Sequence, residues 1–354
     1  MLGPAAAPDR VSPWAGVPAP RTEDALEELL SRPTQSLSAA LSPCDGDVVI
    51  LGAGGKMGPS LARMARRALP GRRIIAVSRW TGGAAADELR SHDVEVLRAD
   101  LRDGAAVRDL PDAPNVVFMA GQKFGTSDDP NGTWAMNAGV PTLAAERYAG
   151  ARVVVFSTGN VYPLTLPEAG GSRETDAPAP VGEYAWSCLA RERIWSGAAA
   201  RHGTAVAIVR LNYAHDLRYG VLTDLARRIV AREPIDLAMG WVNVIWQGDA
   251  NAIALAALRR ATTPEPFVVN VAGRDALRVA DLARALGERL GVSPNLRGEE
   301  QPDALLSDSA RMRDVLDDPL LPLETLLDWV TGWIHGGGRL LGKSTSFEQR
   351  DGRF

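Results

Sequence analysis

The chain has 354 residues, with 39 Lys and Arg against 43 Asp and Glu, a formal net charge of −4, 45% apolar residues and two cysteines. That length supplies one large domain or two ordinary ones with a substantial core, and the charge balance lacks the basic footprint of a nucleic-acid or anionic-membrane binder. Cys44 and Cys188 are too few for a disulfide framework, which points to a reducing, cytoplasmic setting.

In chain order, the first twenty residues are rich in proline and alanine and lack a basic start followed by an apolar run. They read as a mobile or surface-draped arm, not as a targeting peptide. Thr22 to Arg32 sets Leu26, Leu29 and Leu30 on one helical face behind an acidic first turn, and Ser36 to Leu41 suggests a second short helix; residues 1–46 form an appendage. From Asp47, six short apolar runs alternate with helix-length segments: Val48–Leu51, Ile74–Val77, Val94–Leu97, Val116–Ala120, Val153–Ser157 and Val206–Leu211. This alternation predicts an α/β fold, a Rossmann-type doubly wound parallel sheet over 47–211. A smaller interleaved substrate-binding region over 212–335 is expected to return strands to the sheet. Met57, Leu61, Met64 and Ala68 mark one helix face, and Leu282, Leu286 and Leu290 mark another, closed by Gly291. The tail over 336–354 opens on three glycines and is expected to fray. No stretch reaches the roughly 18 uninterrupted apolar residues of a membrane helix.

The first strand runs directly into Gly52-Ala53-Gly54-Gly55-Lys56-Met57-Gly58 and then a helix. Small residues there admit a pyrophosphate, and the helix N-terminus offers free N–H groups, so this GxxGxxG turn predicts dinucleotide binding. An NAD site usually carries an acid after the second strand, where this chain has Ser78-Arg79. Arg79, with Lys56 in the glycine turn, suits a 2′-phosphate; NADP(H) is therefore expected ahead of NAD(H).

From Asp47 to about Trp333 the order of signals resembles the extended short-chain dehydrogenase/reductases, the branch that includes sugar epimerases and dehydratases. Besides the glycine turn, the resemblance rests on Asp100-Leu101 after the third strand, Ala120-Gly121 after the fourth and Asn137 in the following helix. It rests further on Ser157 to Pro163 after the fifth strand and on Tyr184 to Glu192. The resemblance implies that Gly52, Gly54, Gly55, Lys56, Met57, Gly58, Ser78, Arg79, Asp100, Leu101, Ala120, Gly121 and Asn137 border the dinucleotide. In that family a Ser or Thr orients the substrate oxygen, a Tyr exchanges its proton, and a Lys four residues later lowers the Tyr pKa and grips the nicotinamide ribose. The matching positions are Thr158, Tyr184 and Cys188, so YxxxC stands in place of YxxxK.

A thiol supplies no fixed positive charge, and three readings follow. Another cation replaces the lysine, with Lys123 in the loop after the fourth strand as the first candidate. Alternatively, Cys188 itself is the proton donor or nucleophile, which requires a depressed thiol pKa. Or the protein binds its dinucleotide without turnover, as a sensor or scaffold.

On the substrate side, Asn160 and Tyr162 follow the fifth strand, and Arg210 to Tyr219 follows the sixth with Asn212, Tyr213, His215 and Arg218. Such groups suit a polyhydroxylated or anionic ligand. Sugar-nucleotide relatives usually carry an Arg shortly before the position of Asp249, and Gly240 to Gly248 contains no basic residue. A free sugar or sugar acid is therefore favoured. The combined expectation is an NADP(H)-dependent oxidoreductase or epimerase acting on a carbohydrate-like hydroxyl or carbonyl, without a metal. The alternative is a catalytically quiet binding protein. The resemblance also implies a homodimer through the Tyr184 helix.

Overall fold

The computed structural model describes residues 12–353. Each apolar run becomes a strand: β1 (Val48–Leu51), β2 (Ile74–Ser78), β3 (Glu95–Arg98), β4 (Asn115–Phe118), β5 (Arg152–Thr158) and β6 (Ala205–Leu211). Beyond β6 lie the short strands β7 (Ala214–His215), β8 (Pro234–Asp236), β9 (Trp241–Val242) and β10 (Ile245–Trp246), and then β11 (Phe267–Val271), which returns to lie parallel beside β6. The seven-stranded sheet runs β11-β6-β5-β4-β1-β2-β3. Its strand order reverses between β1 and β4, and the crevice at the C-terminal ends of those strands is where such sheets hold ligands. The strands β12 (Leu277–Arg278) and β13 (Asn295–Arg297) pair with β9 and β8 outside this sheet.

Side chains alternate across the strands, so the sheet buries both faces. On one face Val48, Ile50 and Ala76 pack against α2 (Gln35–Leu41), α3 (Gly58–Ala68), α4 (Gly83–Ser91) and α10 (Gln247–Ala256). On the other, Val49, Leu51, Ile75 and Val77 meet α5 (Gly104–Arg108), α7 (Val140–Arg147) and α8 (Gly182–His202). Pro130 opens α6 (Pro130–Trp134), which continues into α7.

A second core joins α9 (Val221–Val230), α11 (Val279–Leu290) and α12 (Leu323–His335). Helix α1 (Glu23–Leu30), capped by Thr22, inserts Leu26, Leu29 and Leu30 into it. Trp14 packs edge-on against Trp329 at 6.1 Å. The part of the expected arm that falls on residues 1–11 lies outside the described residues; from Ser12 onward the segment is anchored by Trp14 and the α1 leucines. The tail also departs from expectation. Phe347 is only 4% exposed within the second core, Arg228 pairs with Glu348 at 2.7 Å, and Arg350 pairs with Asp303. Glycine spacing predicts fraying only if the following side chains find no partners, and here they find an apolar slot and two ion pairs.

Candidate active site

Gly52 has φ of +90°, and a Cβ added there would stand 2.5 Å from the Ala120 amide nitrogen; one on Gly58 would stand 2.1 Å from the Ala53 carbonyl oxygen. These glycines let β1 turn tightly against the chain after β4 and let α3 begin directly beneath the turn. A Cβ on Gly55 meets nothing nearer than 3.5 Å, which leaves that face open for a ligand. A cavity of about 700 Å³ runs along the turn, lined by Gly52, Gly54, Gly55, Ser78, Arg79, Asp100, Leu101, Ala120 and Gly121. Small residues, a helix N-terminus and an exposed cation after β2 are a fitting set for a nicotinamide dinucleotide. Arg102 pairs with Asp100 at 2.6 Å and holds that carboxylate as an anion, down to about 2.

Four residues of the expected cofactor set, Lys56, Met57, Gly58 and Asn137, do not line this cavity. Asn137 is fully buried; its side chain accepts from the Gln122 amide at 2.8 Å and donates to the Gln122 carbonyl at 2.9 Å and to Ser187 Oγ at 2.9 Å. It shapes the loop after β4 and does not line the cavity. Lys56 does not join Arg79. The chain is already bending into α3, so the Lys56 side chain leaves on the opposite side of the turn, donating to the Ala214 carbonyl at 3.3 Å and lying 4.3 Å over the Tyr219 ring.

That opposite side holds a second cavity, of about 190 Å³, bordered by Lys56, Met57, Lys123, Thr158, Asn160, Tyr184, Asn212 and Tyr213. Thr158 ends β5, and Tyr184 occupies the first turn of α8. Thr158 Oγ1 accepts from the Asn160 amide at 3.2 Å and from Asn160 Nδ2 at 3.0 Å, which directs its single proton toward Tyr184. The Tyr184 hydroxyl in turn bonds Cys188. Burial pushes the Tyr184 phenol up from its ordinary value, while Arg191 and the Thr158 bond pull it down.

Four- and three-residue steps place Tyr184, Cys188 and Arg191 on one face of α8. Cys188 is fully buried, and burial pushes its thiol up, which removes the depressed pKa that a nucleophilic role needs. Lys123 lies within electrostatic reach of Cys188, and burial pushes its ammonium down to about 8. Arg191, not singled out in the sequence, is buried; it donates to the Phe156 carbonyl at 2.8 Å and to Asn137 Oδ1 at 2.7 Å. Its place three residues beyond Cys188 was available as a helical-face signal.

A buried chain of bonds fixes β5 to α8. Ser157 Oγ donates to Glu192 at 2.6 Å, Arg210 pairs with Glu192 at 2.7 Å and donates to the Tyr162 hydroxyl at 2.6 Å, and Tyr162 donates to Asn270 at 2.9 Å. Tyr162 is thereby turned into the interior, away from the substrate side where it was expected.

Two more expected substrate residues belong to the interior. His215 is fully buried, accepts from the Thr223 amide at 3.2 Å, and is held neutral by burial, with its pKa down to about 3. Arg218 pairs with Glu27 at 2.6 Å and with Asp216 at 2.7 Å, so the α1 carboxylate takes the charge expected for a ligand. Asn160, Asn212 and Tyr213 do border the second cavity. Sequence reasoning missed Thr345, Ser346, Phe347 and Gln349, which also line it. Among the described residues, no group of three or more His, Cys, Asp or Glu side chains is placed to hold a metal ion, and no helix is long and apolar enough to cross a membrane.

The model of the NAD dependent epimerase/dehydratase family matches residues 48–272. Among solved structures, MoeE5 in complex with UDP-glucose and NAD is 21% identical, covering 82% of this chain and 99% of its own, with a TM-score of 0.67. Pal from Bacillus thuringiensis is 16% identical over the same shares with a TM-score of 0.70. The UDP-glucose 4-epimerase of Thermotoga maritima with UDP-glucose is 17% identical, again over 82% and 99%, with a TM-score of 0.68. No curated protein sequence matches the chain. At these identities the likeness to solved structures is one of fold.

Proposed function

Because the chain belongs to the NAD dependent epimerase/dehydratase family, we propose that it is an enzyme that uses NADP(H) for reversible hydride transfer at a hydroxyl or carbonyl of a small carbohydrate-like acid. The net reaction is oxidoreduction or epimerisation. The observation that carries this reading is the convergence of Thr158, Tyr184, Lys56 and Lys123 on one cavity beside the glycine turn.

The glycine turn, Arg79 and the Asp100-Leu101 corner would hold the dinucleotide, which supplies or accepts the hydride when bound. Tyr184 Oη gives or takes the proton of the substrate oxygen, and Thr158, already accepting twice from Asn160, would turn its single proton from Tyr184 to that oxygen when substrate is bound. A phenol is a weak base by itself, so the positive field of Arg191 on Tyr184, with Lys123 acting on the neighbouring Cys188, replaces the charge absent at Cys188. General acid/base catalysis of this kind contributes roughly 10²–10⁴ in rate.

Support for NADP(H) rests on Arg79 at the cavity and on the lack of an acid at Ser78-Arg79. Arg79→Ala should weaken NADP(H) on the order of tenfold and leave NAD(H) nearly unchanged, as one charge-assisted contact predicts. An anionic sugar suits the paired ammonium groups of Lys56 and Lys123, with Asn160 and Asn212 for hydroxyls. Arg218, committed to Glu27 and Asp216, is not available for a diphosphate.

The deciding experiment mixes a panel of sugars and sugar acids with the protein and NADP(H), following nicotinamide absorbance and product stereochemistry. Tyr184→Phe should abolish turnover and retain NADP(H) binding; full activity in that variant refutes the reading. A quiet binding protein is the second reading, favoured by Cys188 at the lysine position. Binding of NADP(H) with no turnover across the panel would select it.

A further inference from the structure

We infer that the segment Leu340–Arg353 is a built-in wall of the substrate site, which confines it to small ligands and excludes sugars carrying a nucleotide. The inference rests on reading the 190 Å³ cavity as the substrate site. Four residues of the segment, Thr345, Ser346, Phe347 and Gln349, border that cavity together with Thr158 and Tyr184. The segment is fastened on both sides of this stretch. Leu341 N donates to the Arg218 carbonyl at 3.0 Å, and the Thr345 amide and hydroxyl both donate to Asp224 Oδ2, at 2.8 and 2.6 Å. Phe347 is buried, and Arg350 donates to the Asp303 carbonyl at 2.7 Å. Gly352 then lies against Gly182 at the start of α8, where a Cβ on Gly182 would meet the Gly352 carbonyl oxygen at 2.3 Å.

Chemistry as well as placement ties the segment to the site. The Thr345 carbonyl accepts from the Lys123 ammonium at 3.4 Å, so one of the two cavity cations is oriented by the segment. Lys343, two residues earlier, borders the dinucleotide cavity. A cavity of this size takes a monosaccharide, whereas drug-sized and larger ligands occupy pockets of roughly 300–1,000 Å³. A nucleotide diphosphate attached to the sugar would have to occupy the volume filled by Thr345 to Gln349.

The test compares the parent protein with a chain ending at Gly338 and with full-length Phe347→Ser/Arg350→Ala, which unpins the segment without removing it. Binding of UDP-glucose and of NADP is titrated separately by calorimetry. The parent should bind NADP and show no measurable UDP-glucose binding, and both altered proteins should gain at least tenfold in UDP-glucose affinity while still binding NADP. Altered proteins that bind NADP without that gain would overturn the inference. So would a parent that binds UDP-glucose as tightly as they do. Failure of the parent to bind NADP at all is a separate result, and it would overturn the underlying functional reading.

Discussion

The Arg191 guanidinium donates to Asn137 Oδ1 at 2.7 Å, so a buried cation is tied to the residue that shapes the loop after β4. Among the described residues it forms no ion pair, because the adjacent Glu192 is committed to Arg210 at 2.7 Å. The charge is therefore left to act on Tyr184 and Cys188, and it pulls both down against the upward push of burial. Arg191→Leu should raise the Tyr184 pKa, moving the ascending limb of the pH–rate profile for alcohol oxidation, where Tyr184 is the base, to higher pH and lowering turnover at a fixed pH below it about tenfold for each pKa unit. Arg191→Lys should recover part of both effects. A loss of turnover without movement of the limb would reduce Arg191 to a structural role.

Burial pushes both cavity lysines, Lys56 and Lys123, down to about 8 from an ordinary 10.5. Since burial disfavours the charged form, their positive charge is present below that pH and is lost as pH rises through it. Affinity for a sugar acid should therefore fall between about pH 7 and pH 9, and affinity for a neutral sugar should stay level. Calorimetric titration of such a pair checks this, and Lys123→Met should flatten the difference.

Cys188 and Cys44 are both buried. Neither thiol should react with an aromatic disulfide reagent in the native protein, and both should react after unfolding. Cys188→Ala should keep turnover within about threefold, because a buried neutral thiol contributes packing and one weak hydrogen bond. A loss beyond a hundredfold would restore Cys188 as the acid or nucleophile.

Asp249 accepts from the Leu321 amide at 2.7 Å, and burial pushes its carboxyl up to about 7. A folded-state value above the unfolded one means that the folded protein holds this proton more tightly. That contribution is fully present below about pH 4 and is lost as pH rises to about 7. Compared with the parent, Asp249→Asn should lose less stability between pH 5 and pH 8, by at least about 1 kcal/mol, since one pKa unit is worth about 1.4 kcal/mol. Urea midpoints at the two pH values measure it.

Strand and turn signals were legible because they are local. Runs such as Val48–Leu51 and Ile74–Val77 are apolar on both faces, as a sheet covered on both sides requires. Gly52 and Gly58 mark close approaches that any added Cβ would block. Thr158 and Tyr184 come from the resemblance to the family's motif, and both border the second cavity. Lys56 was misjudged because the direction of a side chain after a glycine turn depends on where the helix begins.

What the sequence by itself determined is the parallel sheet and the glycine turn between its first strand and helix, since each is written in residues close together along the chain. Only the tertiary structure decided which charges are available to a ligand. Arg218 is neutralised by Glu27, and among the described residues Arg191 forms no ion pair while Glu192 bridges to Arg210. It also brought Thr345, Ser346, Phe347 and Gln349 to the same cavity as Thr158, nearly two hundred residues away in the chain. Periodicity describes the face an element presents, whereas the partner that meets that face is chosen by packing across the whole chain.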